Sequence, residues 1–296
     1  MILGYINMEW LPHLPKMITS CAVVVPIYRK PTASESLALA VADLVFKDLS
    51  CYICMPESLE FFHPPFETIK LPDRCFSTAK TYGALMVDLD FYRLFQGFDY
   101  MLVYQLDCLV FSNRLHEFLA LGCDWVAPLI LGRSDGFWPS NDIVGVGGFS
   151  LRKISSFSSV LALIQRPGFE AEVSVLSDRI ERNGAEDMFW SLAAPSIDPS
   201  FTVANPDIAL SFGFEGDPRK SYLRSNYQKP FGCHHWNRLS FLFWYLPWIP
   251  LTLSQCIRFL PPVFMELALA EVIYFWRRIW RRSLGIFFCP RSGNEA

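Results

Sequence analysis

The first clear signal along the chain is the continuous apolar run Cys21–Tyr28 (CAVVVPIY), whose β-branched residues predict a strand covered on both faces. Leu37, Ala40, Val41, Leu44 and Val45 then recur at helical spacing behind a cap at Ser34 or Ser36, and Ser50–Met55 is again strand-like. Together they predict a βαβ unit, a common opening of nucleotide-binding α/β domains. Further strands are expected at Thr68–Leu71, Tyr100–Tyr104 and Asp124–Leu129. Helices are expected at Thr78–Phe95, Asn113–Leu121, Lys153–Gln165, Glu172–Arg182 and Glu186–Ala193. Gly132–Asn141 reads as a polar loop, and the chain beyond Pro195 as loop-rich up to Trp236. Ile143–Leu151 is apolar but carries three glycines, which implies a close approach to the backbone.

After Arg238 the pattern changes. Leu239–Ile257 contains no charged residue but is interrupted by Pro247 and Pro250, which favours a bent or interfacial segment over a straight membrane span. On a helical wheel of Val263–Arg282, Glu266, Glu271, Arg277, Arg278, Arg281 and Arg282 share one arc, and the apolar residues fill the other side. Five of the nine tryptophans lie between Trp236 and Trp280, beside these arginines, as an interfacial helix on an anionic leaflet requires. The expected organisation is a domain over residues 1–238 and an apolar, amphipathic helical tail over 239–296 that meets a membrane surface through residues 239–288. Packing of the tail on the domain is the competing arrangement.

Composition narrows the class. The chain has 296 residues, a net charge of −3, 52% apolar residues, 26 Phe, 11 Tyr and 9 Trp. That balance excludes disorder and argues against a nucleic-acid partner, which would need a large basic face. Nine cysteines scattered through apolar segments suit reduced, buried thiols, and the lone Cys51-x-x-Cys54 lies in a strand-like stretch with no second pair at zinc-site spacing. Met1–Ser20 lacks the basic start and apolar run of a secretory signal, so a cytoplasmic location, peripheral at the membrane, is expected.

Three clusters interrupt the apolar pattern with chemistry. Gln105-Leu106-Asp107 ends a buried strand, where a carboxylate either holds Mg²⁺ or Mn²⁺ against a diphosphate or caps a turn. Gly147 and Gly148 leave room for a sugar or phosphate. Glu186 and Asp187 open a helix, either as a general base for an acceptor hydroxyl or as favourable first-turn charge. His234 and His235 lie in an aromatic segment, as late metal ligands closing a shell begun by Asp107 or as hydrogen-bonding loop residues.

In this order the clusters resemble the GT-A glycosyltransferases, whose inverting β-1,4-galactosyltransferases use a DxD carboxylate, a glycine-rich acceptor segment, an ED cluster and a late histidine. Tyr104–Asp107, Gly147–Arg152, Glu186–Trp190 and Pro230–His234 are similar, more closely, to a mainly microbial domain-of-unknown-function family found among polysaccharide-building genes. The resemblance spans roughly Ala22–Trp236, about three quarters of the chain. It implies a GT-A-like, Rossmann-type α/β fold: a mixed, mostly parallel sheet flanked by helices. It also implies an inverting glycosyltransferase that takes a nucleotide-sugar donor, a glycan or lipid-linked acceptor, and Mn²⁺ or Mg²⁺. Asp187 would be the base, Glu186 would orient the acceptor, and Asp107 with His234 or His235 would hold the metal. Pro26, Tyr28, Arg29, Gln105, Asp107, Gly147, Gly148 and Arg152 would line the donor site, with Gln105 standing where the first DxD carboxylate falls. A non-catalytic sugar- or nucleotide-binding module and a membrane-associated assembly protein are the alternatives.

Overall fold

The computed structural model describes residues 20–132, 141–183 and 186–287, of which 179, 180, 182, 183 and 277–287 are described by backbone alone. Most of the loop expected at Gly132–Asn141, the leader reading of Met1–Ser20 and the side chains of Arg277, Arg278, Arg281 and Arg282 lie outside the described residues.

Two sheets share one core. The first has the strand order β3 (Glu67–Leu71), β2 (Ser50–Pro56), β1 (Cys21–Pro26), β4 (Tyr100–Tyr104), β9 (Phe149–Lys153), β6 (Trp125–Val126). The first four are mutually parallel and β9 runs antiparallel to both its neighbours. Parallel pairing of β1 and β2 needs a crossover, supplied by helix α1 (Ala33–Val45). Residues Cys21–Val25 of β1 are all buried, as their unbroken apolar run requires. The second sheet has the order β5 (Cys108–Val110), β11 (Gly232–His234), β10 (Gly213–Glu215), β7 (Leu129–Ile130), β8 (Ile143–Val144). The chain passes between the sheets five times, three of them through short links at 105–107, 127–128 and 145–148. The mixed, mostly parallel α/β architecture expected from the sequence is therefore present.

Several elements differ from expectation. The helix expected at Thr78–Phe95 is two, α2 (Ala79–Leu85) and α3 (Leu89–Arg93), because the Asp88 side chain accepts from Asp90 N at 2.9 Å and starts a new cap. The cap of α1 is Thr32, boxed with Glu35, rather than Ser34 or Ser36. Asp124–Leu129 splits into β6 and β7 as the chain changes sheets. Helices α4 (Leu115–Leu119), α5 (Ile154–Leu163), α6 (Glu170–Asn183) and α7 (Asp187–Leu192) fall where helices are expected. Beyond them the supposed loop contains α8 (Ala194–Ile197), α9 (Pro206–Phe212) and α10 (Pro218–Arg224) with β10 and β11. Strands of three residues are too short for a period to register.

The apolar C-terminal segment forms α11 (Leu239–Tyr245) and α12 (Leu253–Phe287). The expected boundary after residue 238 is not a packing boundary: Leu242, Tyr245, Val263 and Leu267 are buried in the same core as β1 and β4. At about 1.5–3 kcal/mol for each fully buried large aliphatic side chain, this docking is substantial. Glu266 also accepts hydrogen bonds from Thr32 Oγ1 (3.0 Å), Ser34 N (3.0 Å) and Ser34 Oγ (2.6 Å), tying α12 to the start of α1. Among the described residues no helix is long and apolar enough to cross a membrane. All described cysteines are free, and Cys51 and Cys54 are buried in β2.

Candidate active site

The seam between the two sheets gathers the polar residues. Because β5, β11 and β10 lie side by side, with Cys108 opposite His234 and His234 beside Glu215, their register sets Asp107, His234 and Glu215 next to one another. Glu215 binds both imidazoles: its two carboxylate oxygens each lie 2.7 Å from an Nδ1, that of His234 and that of His235. His235 adopts a positive φ of 56°, an uncommon conformation for a histidine, which lets consecutive side chains reach one carboxylate. The opposite ring nitrogens face Asp107, with His234 Nε2 3.4 Å from Oδ1 and His235 Nε2 3.7 Å from Oδ2.

Asp107 Oδ1 and His234 Nε2 are both buried without a hydrogen-bond partner. Orphaned buried polar atoms are costly. A divalent cation between them would satisfy both, and Glu215 holds the imidazoles as the outer carboxylate of a metal-bound histidine does. The donor set of carboxylate and imidazole suits Mn²⁺, so these residues fit the expected ion. Burial opposes protonation of His234, but the Asp107 and Glu215 carboxylates outweigh it and push its pKa up to about 9. Glu215 is held well below the usual carboxylate range, since its two imidazole partners overcome the effect of burial.

The adjoining glycines serve this cluster. Gln105 N donates to Gly148 O at 2.8 Å, and a Cβ on Gly148 would fall on the Gln105 side-chain oxygen and 2.9 Å from His234 Nε2. A Cβ on Gly147 would fall on Glu186 Oε1, 3.0 Å from its Cδ. The room these glycines leave is thus taken by protein side chains, which corrects the expectation that it admits the donor.

Arg152 also differs from its expected place beside the donor. It is fully buried, where its guanidinium donates to Glu186 Oε1 (2.8 Å), Gly147 O (3.0 Å), Tyr92 Oη (2.8 Å) and Ser150 Oγ (3.0 Å). Its position on β9, opposite Met101 of β4 and Trp125 of β6, sets it inside the sheet, and its role there is to fix Glu186. Lys153 pairs with Asp124 at 3.3 Å. Asp187, next along, is the first residue of α7 and accepts from Met188 N at 2.8 Å. Burial, and then the Glu186 charge, raise its pKa to about 6 despite the opposing effects of Arg152 and His234.

A cleft of about 480 Å³ opens beside Asp107. Pro26, Tyr28, Arg29, Gln105 and Asp107, five of the expected donor-site residues, line it. Arg29 is held by Glu35 through two bonds of 2.7 and 3.0 Å, and its guanidinium lies 5.1 Å from the exposed Tyr28 ring centre. Gly147, Gly148, Arg152, Glu186, Asp187 and the two histidines are not on this lining. The histidines adjoin the cleft through Asp107. Sequence reasoning missed Glu215, Glu35, Thr78, Tyr82 and Asn237. Of these only Glu215 had a usable signal: like Asp107, it is a carboxylate that closes a short apolar stretch.

The seam therefore defines an α/β protein with an open cleft beside a carboxylate–imidazole cluster. Residues 65–234 match the family described as "Protein of unknown function (DUF5672)", and the chain belongs to that family. No curated protein matches it. Two solved structures similar to it are glycosyltransferases. One, involved in glycosylation of the major capsid of PBCV-1, is 11% identical with a TM-score of 0.42 and covers 73% of this chain and 93% of its own. The other, mouse xyloside xylosyltransferase 1 in its apo form, is 10% identical with a TM-score of 0.45 and covers 73% and 97%.

Proposed function

We propose that the protein transfers a glycosyl group, with inversion, from a nucleotide sugar to a hydroxyl of a glycan or lipid-linked acceptor, in polysaccharide assembly. The observation that carries this reading is the pair of orphaned buried atoms, Asp107 Oδ1 and His234 Nε2, at the edge of a cleft lined by Tyr28, Arg29 and Gln105. Asp107, His234 and His235 would hold Mn²⁺ or Mg²⁺, whose charge would oppose that of the departing diphosphate. Tyr28 and Arg29 offer a ring and a cation to the nucleotide.

Asp187 has the proton affinity of a usable base, ionised at neutral pH yet far more basic than an ordinary aspartate. It takes the acceptor hydroxyl proton as that oxygen bonds to the anomeric carbon and the bond from that carbon to the diphosphate oxygen breaks. Glu186, held by Arg152, would orient the acceptor.

A thermal-shift screen of nucleotide sugars against the full chain, with and without Mn²⁺, tests the binding step. At least one donor raises the melting temperature only with the ion, and Asp107→Ala removes the effect. Release of nucleoside diphosphate is lost in Asp187→Asn while donor binding stays. If no nucleotide sugar shifts the melting temperature under either condition, the reading is wrong.

A further inference from the structure

The chain is electrically split. Residues 1–217 carry 15 basic and 26 acidic side chains, a net of −11, whereas residues 218–287 carry ten basic and two acidic, a net of +8. The basic part also carries 13 of the 20 exposed large apolar side chains among the described residues. Helix α12 is apolar on two sides. Val263 and Leu267 face the core, while Met265, Leu269, Val272, Ile273 and Trp276 recur at three- and four-residue spacing on another side, exposed between 43 and 74%.

A soluble helix has no use for the second stripe, and the first already accounts for docking on the domain. Helix α11 adds exposed aromatic side chains next to α12. The Phe243 ring, 59% exposed, packs 5.5 Å from Phe264, and its neighbour Trp244 meets Tyr222 at 6.3 Å. Along the same helix the sequence then runs Arg277-Arg278-Ile279-Trp280-Arg281-Arg282.

We propose that this face, built from α11 and the outer stripe of α12, seats the protein on an anionic lipid bilayer. Aromatic side chains in an apolar band beside a cluster of arginines match the boundary between acyl chains and charged headgroups. The −11 remainder of the chain is repelled by the same surface, so the charge split also sets which side approaches it. Glu266 fixes α12 to the Thr32 and Ser34 start of α1, only a few residues from Arg29 and Glu35 of the cleft. The helix is therefore tied to the start of α1, next to the candidate site. This inference is independent of the glycosyl-transfer reading.

The test is co-sedimentation of the full chain with vesicles of phosphatidylcholine alone or mixed with phosphatidylglycerol. The wild-type chain sediments with the mixed vesicles at low salt, and binding falls as salt is raised. Leu269→Glu with Trp276→Glu lowers the affinity at least tenfold. Arg277→Gln with Arg278→Gln lowers it roughly thirtyfold, taking each arginine near the surface at its usual contribution. Circular dichroism confirms that both variants are folded. The proposal is overturned if the wild-type chain stays in the supernatant with either vesicle. It is equally overturned if neither folded variant changes binding, or if the glutamate variant instead dissociates a solution dimer of a chain that ignores vesicles.

Discussion

Replacing Asp187 by asparagine should make the protein more stable and inactive at once. Burial and the neighbouring Glu186 charge hold the carboxyl at a pKa of about 6, against 3.8 for an ordinary aspartate. A difference of roughly two units, at about 1.4 kcal/mol each, is a ceiling near 3 kcal/mol on the cost of ionising it in the folded chain. The residue is partly solvent-exposed, which brings the expected value down to about 1–2 kcal/mol.

The sign follows from the direction of the shift. Below about pH 4 the carboxyl is protonated whether folded or unfolded, so it costs nothing; the penalty grows between about pH 4 and pH 6 and is complete above that. Asparagine never ionises, and its side-chain oxygen can still accept from Met188 N. The variant should therefore melt roughly 2–6 °C above wild type near pH 7.5, with the gap closing as the pH falls towards about 4.5. Scanning calorimetry across that range reads the effect directly. If Asp187 were merely favourable charge at a helix start, the substitution would instead cost a few tenths of a kcal/mol. An Asn variant no more stable than wild type at neutral pH, or a gap that ignores pH, would refute the reasoning.

Four other outcomes are expected. Arg152→Met leaves Glu186 buried without its cation and should cost about 3–5 kcal/mol in chemical denaturation, most of it recovered when Glu186→Gln is added. Gly148→Ala drives a methyl into Gln105 and His234 and should abolish the Mn²⁺-dependent thermal shift, whereas Gly145→Ala, whose Cβ meets only Ile130 and Ser191 at 3.6 Å, should leave it intact. Glu215→Gln should weaken Mn²⁺ binding by roughly 10- to 100-fold in isothermal titration, because both imidazoles lose the carboxylate that orients them. Glu266→Ala removes three hydrogen bonds at the start of α1 and should lower unfolding stability by about 1–2 kcal/mol in urea.

How much of this was legible in the sequence depends on range. The long apolar runs announce β1, β2, β4 and α1, because a strand or helix buried by local pattern needs no partner to be recognised. Asp107 and His234 are legible as polar residues in apolar stretches, and Glu186 and Asp187 as an acidic pair opening a helix. Arg152 was misread because its neighbours in sequence, Leu151 and Lys153, say nothing of Tyr92 and Glu186, the partners 60 and 34 residues away that make its burial tolerable. Glu215 was missed for a related reason: it closes an apolar stretch, but β10 is only three residues long and the imidazoles that Glu215 binds come from the strand beside it and the residue after that strand. The division at residue 238 followed composition, but composition cannot say that Tyr245 and Val263 close over the same core as β4.

What unites the legible and the illegible parts is the passage of the chain between two sheets. A strand continuing within one sheet satisfies its backbone groups with its neighbours, and its side chains can be uniformly apolar. Where it leaves one sheet for another, that pairing stops and polar atoms collect. Gln105–Asp107 and Gly145–Gly148 are both such passages, held together by the bond from Gln105 N to Gly148 O. The two glycines are needed because the Glu186 carboxylate, just before α7, and the His234 imidazole of β11 converge on the same short stretch of backbone. The signal for function was thus the interruption of each apolar run, and its chemistry came from distant elements that those interruptions leave room for.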